Sequence, residues 1–236
     1  MKEKILAREK ACFDFLNSIP ANRKFVLVGG YAVSSFEFPR LSVDLDIAIP
    51  ESELKFFREL LKESGFILSH EKGEFDLTYG GKFEKYIKKE PPISVDLLIN
   101  SVQSRQTNYA YSYAYIEKNS ETREIRGWHP ELKAKIRVAN KEMLLALKIN
   151  SMRTADKRDV IMLCYEMPQT DALAKHLKNC PKDAIAKNLS ELSVLLSDKK
   201  IRDAIKGAFT ISDGVLERAI KNCREVVSKL KDAGIL

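Results

Sequence analysis

The chain is poor in the residues from which metal, redox and disulfide sites are usually built. Its three histidines, His70, His129 and His176, lie far apart and have neither metal-ligand nor triad spacing, so each reads as structural. Its four cysteines, Cys12, Cys164, Cys180 and Cys223, include no close pair, which argues against a zinc knuckle or a redox motif and leaves buried thiols as their simplest role. No window holds the ~18 consecutive apolar residues of a membrane span, and Met1-Lys2-Glu3-Lys4 does not open the apolar core of a signal peptide. The expectation is a cytoplasmic protein with no membrane association. Internal repeats and low-complexity segments are also missing, which excludes a solenoid.

What is there suits a soluble globular chain. Apolar residues make up 44% and charged residues 31% of 236, enough to bury a core in one large domain or two modest ones without disulfides. The formal net charge of +7 and a pI near 9.1 favour a polyanionic partner such as a nucleoside triphosphate or a nucleic acid. The densest basic cluster, Lys82-Phe83-Glu84-Lys85-Tyr86-Ile87-Lys88-Lys89, reads most simply as a solvated face.

Hydrophobic spacing predicts a helix over 3–18 and strands at 25–28 and 43–49. Pro50 closes the second strand, and Leu54, Phe56, Phe57, Leu60 and Leu61 recur at helical spacing until Gly65. Further strands are expected at 66–70, 75–79, 93–99 and 135–138, and the alternating tyrosines of 109–116 suggest another, with one aromatic packing face. Trp128, beside His129 and Pro130, reads as a half-buried packing residue. After Asn140 the texture turns helical, with helices expected at 141–152, 155–166, 170–179, 182–196, 199–208 and 213–233. The division this implies is a mixed domain over 1–139 and a helical domain over 140–236.

The chemistry concentrates between Phe25 and Ile49. Phe25-Val26-Leu27-Val28 runs into Gly29-Gly30, which admits a phosphate close to the backbone and opens a helix at Tyr31, although a glycine pair is also an ordinary tight turn. Arg40-Leu41-Ser42-Val43-Asp44-Leu45-Asp46-Ile47 follows. In an extended segment Asp44 and Asp46 share one face while Val43, Leu45 and Ile47 face apolar packing. Two adjacent carboxylates repel, and in phosphate chemistry a hard divalent cation, above all Mg2+, relieves them.

Gly-Gly, then Arg-x-Ser-x-Asp-x-Asp, then the strand-borne Asp96 resembles the DNA polymerase β nucleotidyltransferase superfamily. Arg40 to Asp46 is most similar to the Arg-x-Thr-x-Asp-Ile-Asp pattern of AbiEii-type nucleotidyltransferases, many of them toxins of toxin–antitoxin pairs. Glu142 to Lys148, then Arg153, then Asp156-Lys157-Arg158-Asp159, resembles that family's later signature of a lysine, an arginine and Lys-Asp. Ser42 stands where threonine is commoner and keeps the hydroxyl. An arginine separates Lys157 from Asp159, which leaves open which of Asp156, Lys157 and Asp159 takes each family role.

The resemblance implies an α+β fold, a nucleotidyltransferase-type mixed sheet with flanking helices followed by a C-terminal helical bundle. It also implies transfer of a nucleoside monophosphate from an NTP to an acceptor hydroxyl with release of pyrophosphate. Asp44, Asp46 and Asp96 would be the catalytic and metal-holding carboxylates. Gly29, Gly30, Arg40, Ser42, Lys148, Arg153 and Lys157 would bind nucleotide, with Asp156 and Asp159 as further candidates. The acceptor implied is RNA, a tRNA end or a protein, and a cognate antitoxin is the implied partner. Two alternatives stand beside this reading: an inert nucleotide-binding or antitoxin-partner module, and a transferase acting on a small antibiotic-like molecule. Independently, Lys148 and Asp159 would share a face of one continuous helix. Arg153 and Lys157, four apart, repel unless an anion lies nearby or Asp156 and Asp159 neutralise them.

Overall fold

The protein is described by a computed structural model covering residues 2–42 and 44–235. Val43, expected on the apolar face of its strand, lies outside the described residues. Two compact units emerge.

The first comprises residues up to Ser35, Pro39–Gln103 and Ala110–Ala139. In chain order its elements are α1 (Lys2–Ser18), β1 (Val26–Val28), α2 (Gly29–Val33), β2 (Asp44–Ile49), α3 (Leu54–Glu63), β3 (Ile67–Asp76), β4 (Gly81–Lys88), β5 (Ile93–Ile99), β6 (Ser101–Gln103), β7 (Ala110–Ser112), α4 (Tyr113–Lys118), β8 (Ser120–Arg126) and β9 (Lys133–Ala139). Seven strands form one mixed sheet in the order β3-β4-β5-β2-β1-β9-β8, and β6 pairs with β7 separately. The pairs β2–β5 and β1–β9 are parallel and the rest antiparallel.

The centre of this sheet is where the sequence is most apolar. Leu45, Ile47 and Ile49 of β2 and Val95, Leu97 and Ile99 of β5 are fully buried, which is what period-two alternation in a covered strand produces. The amphipathic α3 buries Leu54, Phe57 and Leu61, one side of the helix, and Gly65 follows it at φ +80°.

The second unit joins Phe36–Phe38 and Ser104–Tyr109 to residues 140–236. It is built from α5 (Lys141–Ser151), α6 (Thr154–Leu163), α7 (Thr170–Leu177), α8 (Lys182–Leu195), α9 (Lys199–Phe209) and α10 (Asp213–Asp232). The Asn140 side chain caps α5 by accepting the Met143 N–H at 2.9 Å, and Ser212 caps α10 in the same way. The Asn150 side chain ties in the 104–109 segment, accepting from the Thr107 hydroxyl at 2.5 Å and donating to the Tyr109 carbonyl at 3.2 Å. The fold is therefore the expected α+β class, a mixed sheet with flanking helices and a C-terminal helical region.

Several local expectations are corrected. Residues 66–70 and 75–79 do not form two strands, because β3 runs from Ile67 to Asp76 and residues 77–80 turn into β4. Residues 82–88 of the basic cluster belong to strand β4, which pairs with both β3 and β5, and Lys89 lies in the turn beyond it. The tyrosine alternation of 109–116 is strand only at 110–112, because Ser112 accepts the Tyr115 N–H and starts α4. Lys148 and Asp159 do not share one continuous helix, because Met152 takes a left-handed φ of 44° between α5 and α6. All four cysteines are buried thiols outside any disulfide. Among the described residues no helix is long and apolar enough to cross a membrane.

Candidate active site

Within the first unit, the motif residues converge on one end of the β1–β2–β5 strands. The parallel register sets Asp44 opposite Ser94 and Asp46 directly opposite Asp96. The side chain of Asp44 is exposed and those of Asp46 and Asp96 half-buried, while Leu45, Ile47, Val95 and Leu97 on the reverse face are buried. The Asp-x-Asp of β2 is thus matched by Ser-x-Asp on its neighbour. The Ser94 hydroxyl donates to Asp44 Oδ1 at 2.6 Å, and Lys85 of β4, in register with Asp96, brings its ammonium to 3.2 Å from Asp96 Oδ1.

The glycine pair is fitted to these side chains. Gly29 adopts φ +68°, and a Cβ built there would stand 1.8 Å from Asp46 Oδ2. A Cβ at Gly30 would stand 2.7 Å from both an Arg40 guanidinium nitrogen and the Ser42 hydroxyl. Gly-Gly therefore leads into the five-residue α2 and also clears the ground on which Asp46, Arg40 and Ser42 sit. Tyr31 of α2 and Ser34, the residue that ends it, secure the loop that follows. The phenol of the fully buried Tyr31 donates to the Ser42 carbonyl at 2.7 Å, and Ser34 Oγ bonds both the N–H and the carbonyl of Arg40 at 3.2 Å. Burial, then the neighbouring Cys12 thiol, pushes the Tyr31 phenol far above the usual tyrosine range, so it remains a donor.

The donor set fits a hard divalent cation: carboxylate oxygens on one face, with a positive charge already drawn to Asp96 in the form of the Lys85 ammonium. Among the described residues no three His, Cys, Asp or Glu side chains are gathered closely enough to hold a metal as they stand. Asp44 and Asp96 are instead engaged by Ser94 and Lys85.

The helical unit holds the remaining candidates. Lys148 is buried, with its ammonium 2.8 Å from both Asp156 Oδ1 and Asp159 Oδ2. Burial pulls the Lys148 pKa down, but the Asp159 and Asp156 carboxylates outweigh it and the value is raised. Asp156 also accepts the Arg153 N–H at 3.1 Å and its Nε at 2.8 Å, holding the start of α6. Burial opposes the ionised form of Asp156, yet Lys148 and Arg153 hold its pKa at about 2. Lys157 pairs with Glu191 at 3.2 Å. The like charges at 153 and 157 are therefore each met by a carboxylate.

Sequence reasoning missed three contributors. Lys85 was absorbed into a charged patch, and its place beside Asp96 arises only from the register of β4 with β5. Ser94-x-Asp96 mirrors Asp44-x-Asp46, but the contact of Ser94 with Asp44 arises only from the pairing of β2 with β5. Tyr31 carried no sequence mark beyond its position after Gly-Gly.

A sheet that sets paired carboxylates beside a glycine turn, a guanidinium and a hydroxyl is that of a nucleotidyltransferase. A family model described as the nucleotidyl transferase AbiEii toxin of type IV toxin–antitoxin systems matches residues 13–178, and the chain belongs to that family. JHP933 from Helicobacter pylori is 20% identical, with 98% of this chain and 95% of that one covered and a TM-score of 0.52. A second H. pylori protein, described as a candidate nucleotidyltransferase, is 19% identical over 99% of both chains, also with a TM-score of 0.52. At these identities the likeness to solved structures speaks for the fold alone. No curated protein matches the chain.

Proposed function

We propose that the protein is a magnesium-dependent nucleotidyltransferase that moves a nucleoside monophosphate from an NTP to a hydroxyl of RNA, releases pyrophosphate, and acts in the cytoplasm as a toxin restrained by a cognate antitoxin. The observation that carries this reading is the register of Asp46 opposite Asp96, with Asp44 two residues away and Gly29 shaped around Asp46.

Asp44, Asp46 and Asp96 are the residues that would hold the divalent metal, Mg2+ by the preference of triphosphates and carboxylates for a hard cation. When bound, that metal supplies positive charge for the triphosphate and for the attacking oxygen. The backbone at Gly29 and Gly30 admits the phosphates without Cβ interference, and the Ser42 hydroxyl and Arg40 guanidinium donate hydrogen bonds to phosphate oxygens. Asp96 activates the acceptor hydroxyl, whose oxygen attacks the α-phosphorus as the α–β anhydride bond breaks and its electron pair departs with pyrophosphate. Arg40 offsets the charge that builds on this leaving group, a task at which one preorganised donor contributes roughly 3–4 kcal/mol. The signature residues Lys148, Arg153 and Lys157 of the helical unit are each met by a carboxylate, Lys148 by Asp156 and Asp159, Arg153 by Asp156 and Lys157 by Glu191, and no step of the transfer is assigned to them.

The test is incubation of the pure protein with each α-labelled NTP, Mg2+ and total RNA, resolved on denaturing RNA and protein gels. Label in an RNA band that Asp44→Asn and chelation both abolish is the expected result. Label on protein would move the acceptor, and label on neither, with NTP still bound, would favour a sensor or partner module.

A further inference from the structure

The β8–β9 hairpin carries a surface that the transfer chemistry leaves unused. Along β9, Lys133, Lys135 and Arg137 are exposed and alternate with buried Ala134, Ile136 and Val138. The antiparallel register sets Arg126 opposite Lys133, Glu124 opposite Lys135 and Thr122 opposite Arg137. This face therefore presents four cations against one carboxylate. Glu124 lies 2.9 Å from Arg126 Nε and 3.9 Å from Lys133 Nζ, Arg137 donates to the Ser120 hydroxyl at 3.1 Å, and exposed Glu131 lies in the turn.

The turn holds Trp128, half-buried as expected, with 41% of its surface exposed and its ring edge-to-face with that of His129 at 5.0 Å. It is a secured turn. The fully buried Glu9 carboxylate accepts the N–H groups of Trp128 at 2.5 Å and His129 at 3.0 Å, lies 2.6 Å from His129 Nδ1, and leaves no room for a Cβ at Gly127. Gly127 N–H also donates to the Leu132 carbonyl at 2.9 Å. A buried carboxylate thus fixes a loop whose largest apolar side chain faces water.

We infer that the β8–β9 hairpin is a docking surface for single-stranded RNA, with the β9 cations on its phosphate backbone and Trp128 stacked on a base. The inference rests on the RNA-acceptor reading above and deepens it. Cations two residues apart on a strand recur every ~6.7 Å in a straight row, a geometry suited to tracking an extended polyanion. An aromatic face at the end of that row suits any base, because every base has a π-face. An acidic protein would use the cations but not the ring.

Trp128 is the single tryptophan of the chain, so its emission reports on this surface directly. The protein is titrated with a single-stranded oligoribonucleotide of about twelve nucleotides. Saturable quenching is expected, with affinity falling between ~50 and ~200 mM salt on a log–log slope of about −2 to −3 for three or four displaced counterions. Lys133→Gln/Lys135→Gln/Arg137→Gln should weaken binding at least ~10-fold and reduce that slope by about 2. Trp128→Ala, followed by anisotropy of labelled RNA, should weaken binding ~5- to 100-fold at unchanged slope. Constant emission throughout the titration, superimposable isotherms for the triple variant, or equal quenching by a polyglutamate peptide would each overturn the inference. Asp44→Asn separates the two readings. If RNA binds wild type and this variant alike but no RNA is ever labelled, the transfer reading fails and the surface stands. RNA labelling that is indifferent to the hairpin substitutions removes the surface alone.

Discussion

A Cβ at Gly29 would stand 1.8 Å from Asp46 Oδ2, so the absence of a side chain at one residue sets the position of the carboxylate at another. Gly29→Ala must both hold φ +68°, which costs a non-glycine residue roughly 1–2 kcal/mol, and displace the Asp46 side chain. Transfer should fall about 100-fold, the scale of a ~1 Å misplacement, with a modest drop in melting temperature. Gly30→Ala should be milder, because its Cβ meets the movable ends of Arg40 and Ser42 and its φ is not left-handed. Labelled-NTP turnover beside thermal melts checks the ranking, and equal losses in the two variants would contradict it.

Lys85 occupies Asp96 at 3.2 Å and must yield some of that contact when a divalent ion arrives. Its side chain is 36% exposed, so the pair is worth no more than roughly 1 kcal/mol. Lys85→Ala should therefore lower the half-saturating Mg2+ concentration by about fivefold, while chelation silences wild type and variant alike. A Mg2+ titration of activity measures this. An unchanged or raised requirement would show that Lys85 does not compete with the metal.

The parts of this fold that were legible are those decided by local pattern. β2 and β5 are apolar runs between breakers, and the later helices announce themselves by spacing and caps, as Asn140 and Ser212 do. β4 was illegible because buried Glu84 breaks the pattern, and Glu84 is tolerated there only because Arg58 of α3 and the Tyr86 hydroxyl satisfy it. Tyr113 and Tyr115 follow strand alternation until the Ser112 cap diverts them into α4. In the site, Asp44, Asp46 and Asp96 were visible as spacing within strands. Ser94 and Lys85 were not, since each meets its carboxylate only through pairing of β2, β4 and β5 across the sequence.

Lys148 with Asp156 and Asp159 is a buried ion cluster, and such clusters are costly to break from one side. Lys148→Met would leave two carboxylates facing one another without their cation. We expect a loss of about 3–5 kcal/mol in denaturant unfolding, whereas Lys157→Met, which loses a partly exposed pair with Glu191, should cost under ~1 kcal/mol. Activity lost in Lys148 variants must be compared at equal folded fraction. Matching midpoints for the two variants would show that the cluster contributes nothing particular.

The same cluster predicts an acid sensitivity with a defined sign. Despite the opposing effect of burial, Lys148 and Arg153 hold Asp156 at about 2, against 3.8 for an ordinary aspartate. A carboxylate depressed in the folded state stabilises it fully above the unfolded value and loses that contribution as pH falls toward the folded one. The window therefore runs from about pH 4 down to about pH 2, and the stake is roughly 2 kcal/mol. Other carboxylates titrate there too, so the informative quantity is the difference between wild type and Asp156→Asn in urea midpoints across that window. The variant should be less stable near pH ~7 and converge on wild type as pH falls through the window. Parallel curves would mean that Asp156 is not the group whose ionisation the fold depends on, and that Lys148 draws its compensation from Asp159 alone.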